Sequence, residues 1–203
     1  MSAEPIPHPV TVEEFFARVP DGVKADLIDG VIYVSSPDTP PNDDIGYLIR
    51  YLLQGFSRRG GGLGKAHGSR VAFALGRYRS PEPDVSFVLT DRLSIIQPTR
   101  GVGAPDIAVE IVSADSVDRD YVKKRILYEE AGVREYWIID PLNRRCTFLL
   151  LQDGSFVPAP LRRRRYFFSE VLPGFWLDVQ WLLTSPVPDE EECLQRLLAG
   201  PPK

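Results

Sequence analysis

Two apolar runs carry carboxylates where strand-forming residues belong. In Asp84 to Leu89, alternation puts Val85, Phe87 and Leu89 on one face and Asp84, Ser86 and Val88 on the other. In Asp106 to Val112, Ile107, Val109 and Ile111 share a face, and Asp106, Ala108, Glu110 and Val112 lie opposite. Glu110 is thus stranded in mid-strand among apolar neighbours. If the two strands are adjacent, Asp84 and Glu110 share a face, and the small Ser86 and Ala108 leave space beside them. Two such carboxylates repel unless a proton or a cation stands between them.

The next helical segment offers the cation. At about 100° per residue from Asp120, the residues Leu127, Ala131, Lys124, Val117, Tyr128 and Tyr121 fall on one contiguous stripe. Lys124 lies inside that apolar stripe, whereas Lys123 and Arg125 point elsewhere. A lysine there loses hydration unless a carboxylate or phosphate meets it. Pairing with Asp120 at i, i+4, or snorkelling to solvent, explains the same position without chemistry.

The rest of the composition narrows the alternatives. His8 and His67 are the only histidines among 203 residues, which leaves little room for a Ser/His/Asp triad or a histidine-rich metal centre. Cys146 and Cys193 lack the spacing of a zinc site and are too few for a disulfide scaffold. The net charge of −4 argues against nonspecific coating of nucleic acid, though not against a locally basic groove. With 43% hydrophobic and 26% charged residues, one globular domain over 1–203 is expected, with frayed Pro-rich ends at 1–9 and 200–203. No apolar run approaches membrane-spanning length and the N-terminus lacks signal-peptide character, so a cytoplasmic location is expected.

Positioning these groups falls to a mixed set of elements. Thr11 to Glu14 has capping-box spacing and predicts a short helix, and Asp29-Gly30 predicts a tight hairpin within Lys24 to Ser36. From Asn42, the residues Ile45, Leu48, Ile49, Leu52, Leu53 and Phe56 trace one helical face, which Gly60-Gly61-Gly62 ends. Strands are expected at Lys65 to Leu75, Asp84 to Leu89 and Asp106 to Val112. A helix capped by Ser116 then runs to Ala131, and Arg134 to Ile139 forms another strand. Further strands at Arg144 to Gln152, Ser155 to Pro158 and Phe175 to Val179, and a helix at Asp189 to Leu198, complete the chain. The expected class is α/β (mixed α+β), a central mixed sheet flanked by helices, with an extra N-terminal hairpin and C-terminal strands.

Several runs together resemble a known family. They are Pro83-Asp84, Ala104 to Ser113 (APDIAVEIVS), Asp120-Tyr121-Val122-Lys123-Lys124, Tyr128, and Ala131 to Pro141 (AGVREYWIIDP). They resemble the Uma-type putative restriction endonuclease family of the PD-(D/E)XK nuclease superfamily, and the likeness extends from the Thr11 helix to Leu172-Pro173-Gly174-Phe175. It implies a restriction-endonuclease-like core of helix, three strands, helix and strand, and a metal-dependent DNA endonuclease. Asp84 matches the acid of the PD motif and Glu110 the first acid of (D/E)XK. Val112 stands where the motif lysine is expected, and Lys124 occupies the place of a lysine moved to the following helix. Asp26 and Val31 stand where the family tends to carry glutamates, and Asn42 where relatives often show histidine.

On this reading Asp84, Glu110 and the Ile111 carbonyl offer oxygen ligands to Mg²⁺, with Mn²⁺ as substitute, while Lys124 orients a water or stabilises charge on the phosphate. Accessory candidates are Asp26, Asp106, Asp120 and Tyr128; Asp106 also reads as a strand-start residue and Tyr128 as core. Arg70, Arg77 and Arg79 are candidate contacts to nucleic acid, and the run Arg162 to Arg165 is either a phosphate contact or solvated loop charge. His67 reads as a polar strand residue, Trp137 as core and Cys146 as a buried strand thiol. Cleavage of both strands is simplest in a homodimer. The alternatives are an inactive nuclease-fold module that binds nucleic acid or protein, and a hydrolase of another phosphate ester.

Overall fold

Alternating apolar strands and two amphipathic helices meet on the two faces of one sheet. The protein is represented by a computed structural model that describes residues 8–20 and 22–202; most of the expected N-terminal fraying falls outside these residues. Within them, Val10 N–H donates to the Gly30 carbonyl at 2.9 Å, which ties the chain to the hairpin turn from the first residue after the expected frayed segment.

The first elements follow from local signals. Helix α1 (Val12–Arg18) starts with the expected reciprocal cap: Glu14 N–H donates to Thr11 Oγ1 at 3.2 Å, and Thr11 N–H to Glu14 Oε2 at 2.9 Å. Strands β1 (Ala25–Ile28) and β2 (Val31–Val34) form an antiparallel hairpin. Its turn uses Asp29 at φ 49° and Gly30 at φ 80°, the left-handed pair that a two-residue hairpin needs. Helix α2 (Pro40–Arg59) begins before the predicted Asn42, because Pro40 and Pro41 fit a first turn whose N–H groups have no intrahelical acceptor.

Six strands then build the main sheet. These are β3 (Gly64–Gly68), β5 (Val85–Leu89), β7 (Ile107–Ile111), β8 (Glu135–Asp140), β9 (Arg145–Gln152) and β10 (Ser155–Pro158), in the order β10-β9-β8-β7-β5-β3. Only β7 and β8 run parallel, so the sheet is mixed. The predicted strand Lys65 to Leu75 is broken: the chain leaves the sheet after Gly68, and its apolar end becomes β4 (Phe73–Ala74), paired with β6 (Gly101–Val102). A 3₁₀ turn at Thr90–Ile95 links β5 toward β6. The helix α3 (Lys124–Ala131) packs on one face of the sheet, with Ala108, Val112, Leu127, Tyr128, Tyr136 and Ile138 in a common core. The other face carries the larger core, where α2 meets Val109, Trp137, Phe148 and the C-terminal elements. Those are β11 (Tyr166–Phe168), β12 (Trp176–Asp178), α4 (Val179–Leu183) and α5 (Glu190–Ala199). The expected core order of helix, three strands, helix, strand is present as α2, β3, β5, β7, α3, β8.

Two buried carboxylates act as anchors. Glu135 Oε1 accepts from Ser169 Oγ at 2.9 Å, from Glu170 N–H at 2.6 Å and from Val171 N–H at 2.8 Å, which pins the C-terminal segment to the sheet. Asp106, an accessory candidate by sequence, is such an anchor too. Its oxygens take Arg92 Nη1 at 2.7 Å and Leu89 N–H at 2.9 Å, tying the 3₁₀ turn to the start of β7. Ser116 stands where expected, just before the helical segment, and its carbonyl accepts the Asp120 N–H at 2.8 Å, but its hydroxyl accepts from Ser113 N–H at 2.9 Å and donates to Asp120 Oδ2 at 2.5 Å, so the side chain caps no helical N–H. No helix among the described residues is long and apolar enough to cross a membrane.

If Asp106 is structural, Asp106→Asn removes the charge facing Arg92 and should cost about 1 to 3 kcal/mol. Urea unfolding measures it, and an unchanged midpoint would return Asp106 to the list of functional candidates.

Candidate active site

Register brings the two odd carboxylates together. Strands β5 and β7 pair antiparallel with Val85 opposite Val109 and Ser86 opposite Ala108, so Asp84, one residue before β5, stands opposite Glu110. Asp84 Oδ2 accepts the Ile111 N–H at 2.6 Å, which locks its carboxylate across the strand pair. Ser86 and Ala108 are both fully buried and small, and they keep the α3 side of this pair open for longer side chains.

Glu110, only 2% exposed, has both oxygens engaged. Tyr128 OH donates to Oε1 at 2.7 Å, and Lys124 Nζ lies 2.9 Å from Oε2. The same ammonium is 3.0 Å from Asp26 Oδ2 and 3.9 Å from Asp120 Oδ1, so three carboxylates from three segments share one lysine. Asp26 comes from the N-terminal hairpin and is fixed by Glu82 N–H donating to its Oδ1 at 2.8 Å. Burial alone would depress the Lys124 pKa, but Asp26, Glu110 and Asp120 outweigh it and hold the ammonium protonated. Burial raises the Glu110 pKa, with Lys124 opposing and Asp84 and Asp120 reinforcing. Asp120 is pushed up to about 6, again chiefly by burial.

Lys124 enters this site through an irregular helix. Residues 117–131 are helical, but Arg119–Lys123 form a π-turn in which Lys124 N–H donates to the Arg119 carbonyl. Such a turn holds one extra residue, so every residue before it is displaced by about 100° from a straight-helix projection. Val117, expected in the buried stripe, is therefore 41% exposed. Arg119 turns in instead, and its Nε lies 3.4 Å from Asp26 Oδ2. The alternative reading of Lys124, paired with Asp120 on an open helix face or snorkelling to solvent, does not match a side chain 3% exposed among three carboxylates. Lys123 is 40% exposed and pairs with Asp118 at 2.9 Å.

The predicted residues Asp84, Glu110, Ile111, Lys124, Asp26, Asp120 and Tyr128 thus converge, while Asp106 stands apart. Lys24, Arg119 and Glu82 join them unforeseen. Lys24 pairs with Asp84, and it had one legible signal: it lies two residues before Asp26, on the same side of an extended chain. Val31, in the second expected glutamate position, is 52% exposed on β2 and outside the site. Asn42 Nδ2 reaches the Val112 carbonyl at 3.5 Å, at the edge of the site.

The basic candidates divide. Arg79 is spoken for by Asp29, at 2.5 Å, and by Glu130, so it clips the hairpin turn to the end of α3. Arg77 is exposed beside Tyr78, next to that same turn and not beside Asp84. Arg70 is exposed and donates to the Gly22 carbonyl. His67 is buried on β3, and burial followed by Lys65 and Arg50 lowers its pKa, keeping it neutral. Cys146 on β9 is a strand thiol whose pKa burial pushes up to about 12.

What the site can hold follows from its donors. A cavity of ≈ 20 Å³ opens among Lys24, Asp84, Glu110, Ile111, Ser113 and Lys124, about the space of a water or a small ion. Two facing carboxylates and a strand-end carbonyl are hard oxygen donors, the chemistry that suits Mg²⁺ with retained waters. Among the described residues no group of three His, Cys, Asp or Glu side chains forms a ready cage. Two side-chain carboxylates and one carbonyl would leave coordination positions for retained waters, and they do not make up the closed four-ligand set of structural zinc. Outside the cavity a groove of ≈ 210 Å³ runs past Asp38, Asn42, Tyr47, Arg50, Gly68 and Asp84.

Comparisons with known proteins identify the fold and the family. A solved structure of a putative nuclease belonging to DUF820 from Anabaena variabilis ATCC 29413 superposes with a TM-score of 0.71 at 17% identity, over 86% of this chain and 98% of that one. This likeness shows a shared fold. No curated protein matches the sequence. The family described as Uma2, putative restriction endonuclease, matches residues 12–180, and that span, from the α1 helix to the start of α4, includes every residue of the site: the chain belongs to this family.

Proposed function

We propose that the protein is a divalent-metal-dependent endonuclease that hydrolyses phosphodiester bonds in DNA, with Asp84, Glu110 and Lys124 at its centre. The observation that carries this reading is the facing pair Asp84 and Glu110 with the Lys124 ammonium 2.9 Å from Glu110, beside a cavity of ion size. Asp84, Glu110 and the Ile111 carbonyl would hold Mg²⁺ or Mn²⁺, which when bound polarises the phosphodiester and lowers the pKa of water. The chain's own groups set the stage. The Ile111 N–H and Tyr128 OH fix the orientation of the two carboxylates, and Asp26 and Asp120 hold Lys124 charged beside them. A fixed ammonium in a dry site stabilises negative charge developing on phosphate without having to reorganise. Arg50, exposed along the groove, and Arg70, exposed one residue beyond the groove-lining Ser69, are candidates for contacts to the flanking backbone.

A second reading, hydrolysis of a small phosphate ester, is favoured by the narrowness of the cavity and by Asp38, Asp43 and Asp44 along the groove. Plasmid DNA, single-stranded oligonucleotides, RNA and a small phosphodiester, each with and without Mg²⁺ or Mn²⁺, separate the two. Cleavage confined to the small ester would replace the proposal, and metal-independent cleavage would end it.

Asp84→Asn and Glu110→Gln should each lower metal-dependent cleavage at least about a hundredfold while the folded spectrum persists, since each removes a ligand charge. Wild-type rates in either variant would remove that carboxylate from the site. Lys124→Met leaves three carboxylates without their shared cation, so it should cost about 3 to 5 kcal/mol of stability as well as single-turnover rate. Lys123→Met, one residue away and exposed, should change neither. Equal single-turnover rates for the two variants at saturating Mg²⁺ would show that α3 supplies no catalytic lysine.

Double-strand cleavage is simplest for two copies about a twofold axis. Sedimentation at micromolar concentration is expected to give twice the chain mass, and a monomer that makes double-strand breaks would refute the dimer.

A further inference from the structure

The two lysines of the site are held very differently. Lys124 is enclosed, 3% exposed, with Asp26, Glu110 and Asp120 around it. Lys24 precedes β1, is 13% exposed, and has a single carboxylate partner among the described residues, Asp84. It lines the same small cavity as Asp84, Glu110 and Ile111. Asp84 uses its other oxygen on the Ile111 N–H, so the oxygen facing Lys24 is the one left for any further cation. An ammonium and a divalent ion cannot both take that oxygen at close range without strong repulsion.

We propose that Lys24 is the resident counter-cation of the metal site, holding Asp84 in the metal-free protein and yielding that carboxylate to the incoming divalent ion. This rests on Asp84 and Glu110 being metal ligands, as proposed above. Lys24 is then a positioning residue. It keeps Asp84 and Glu110 from repelling each other in the empty state, and it sets the metal concentration at which the site fills. Lys124 cannot take this part, because leaving Glu110 would also mean leaving Asp26.

Calorimetric titration of Mn²⁺ into the DNA-free protein tests this without relying on turnover. Lys24→Met removes the competitor and should tighten Mn²⁺ binding about tenfold. Lys24→Arg keeps the charge and grips a carboxylate in two places, so its affinity should equal wild type or be weaker. Lys123→Met, an equal loss of charge outside the cavity, should leave affinity within about twofold of wild type. Thermal unfolding gives an independent readout: metal-free Lys24→Met should melt below wild type, and saturating Mn²⁺ should raise its melting temperature by more than it raises that of wild type. If Lys24→Met does not fold, tighter binding by Lys24→Arg than by wild type overturns the proposal. Unchanged or weaker affinity of folded Lys24→Met, with wild type binding normally, overturns the role of Lys24 alone. Absence of Mn²⁺ binding in wild type, or binding that survives Asp84→Asn undiminished, overturns the metal site itself and this inference with it.

Discussion

One ammonium shared by three carboxylates organises this protein. Lys124 can stay buried only because Asp26, Glu110 and Asp120 converge on it, and those carboxylates can converge only because Lys124 is there. A buried charge without a partner is costly, so the N-terminal hairpin, the centre of the sheet and the helix behind it are bound to one arrangement. The hairpin contributes little core of its own: Ala25 and Leu27 join Val12 and Phe15 of α1 in a small separate cluster, and Ile28 reaches the α3-side core. Its placement draws on Asp26 meeting the site, on backbone pairing of Leu27 with Ser80 and of Gly30 with Tyr78, and on the Arg79 clip from Asp29 to Glu130. Function and docking of the hairpin therefore share the Asp26 contact.

The sheet separates this charged assembly from the larger apolar core. Trp137 packs against Phe148, Phe167 and Phe175 on the α2 side, while the opposite face of the sheet carries Glu110 and Tyr136, with Tyr128 of α3 packed upon it. Alternation along β7 makes this division: Ile107, Val109 and Ile111 serve one face, and Ala108 and Glu110 the other. Real proteins break local patterning where function requires it. Here the break is confined to a face whose remaining residues can be small or aromatic without weakening the main core.

Much of the site was legible because strand alternation and the Asp29-Gly30 turn obey short-range rules. Asp84 opposite Glu110, and the small pair Ser86 and Ala108, follow from period two and an assumed adjacency that the fold supplies. The helix projection found Lys124 and Tyr128 but misplaced Val117 and missed Arg119, because a straight helix cannot represent the π-turn. Asp106 had the same carboxylate chemistry and strand face as Glu110. Only the long-range contact with Arg92 distinguishes an anchor from a ligand candidate, and no local pattern encodes it. The same holds for Glu135 and for Arg79, whose partners lie 35 or 50 residues away in the chain. The broken strand at Gly68 shows the remaining limit, since β4 exists only through its pairing with β6.

The π-turn at Arg119–Lys123 also makes the length of this helix a functional quantity. Rewinding the turn into ordinary α-helix with every residue kept would swing the part before it through about 100° relative to the part after it. Arg119 would leave the shared cluster and Val117 would turn inward, while Lys124 and Tyr128 stayed. Deleting one residue within the turn has the opposite effect, because a regular helix one residue shorter keeps both flanks on their present faces. The chain stores the geometry of its charge cluster as one surplus amino acid that the helix must bulge to hold.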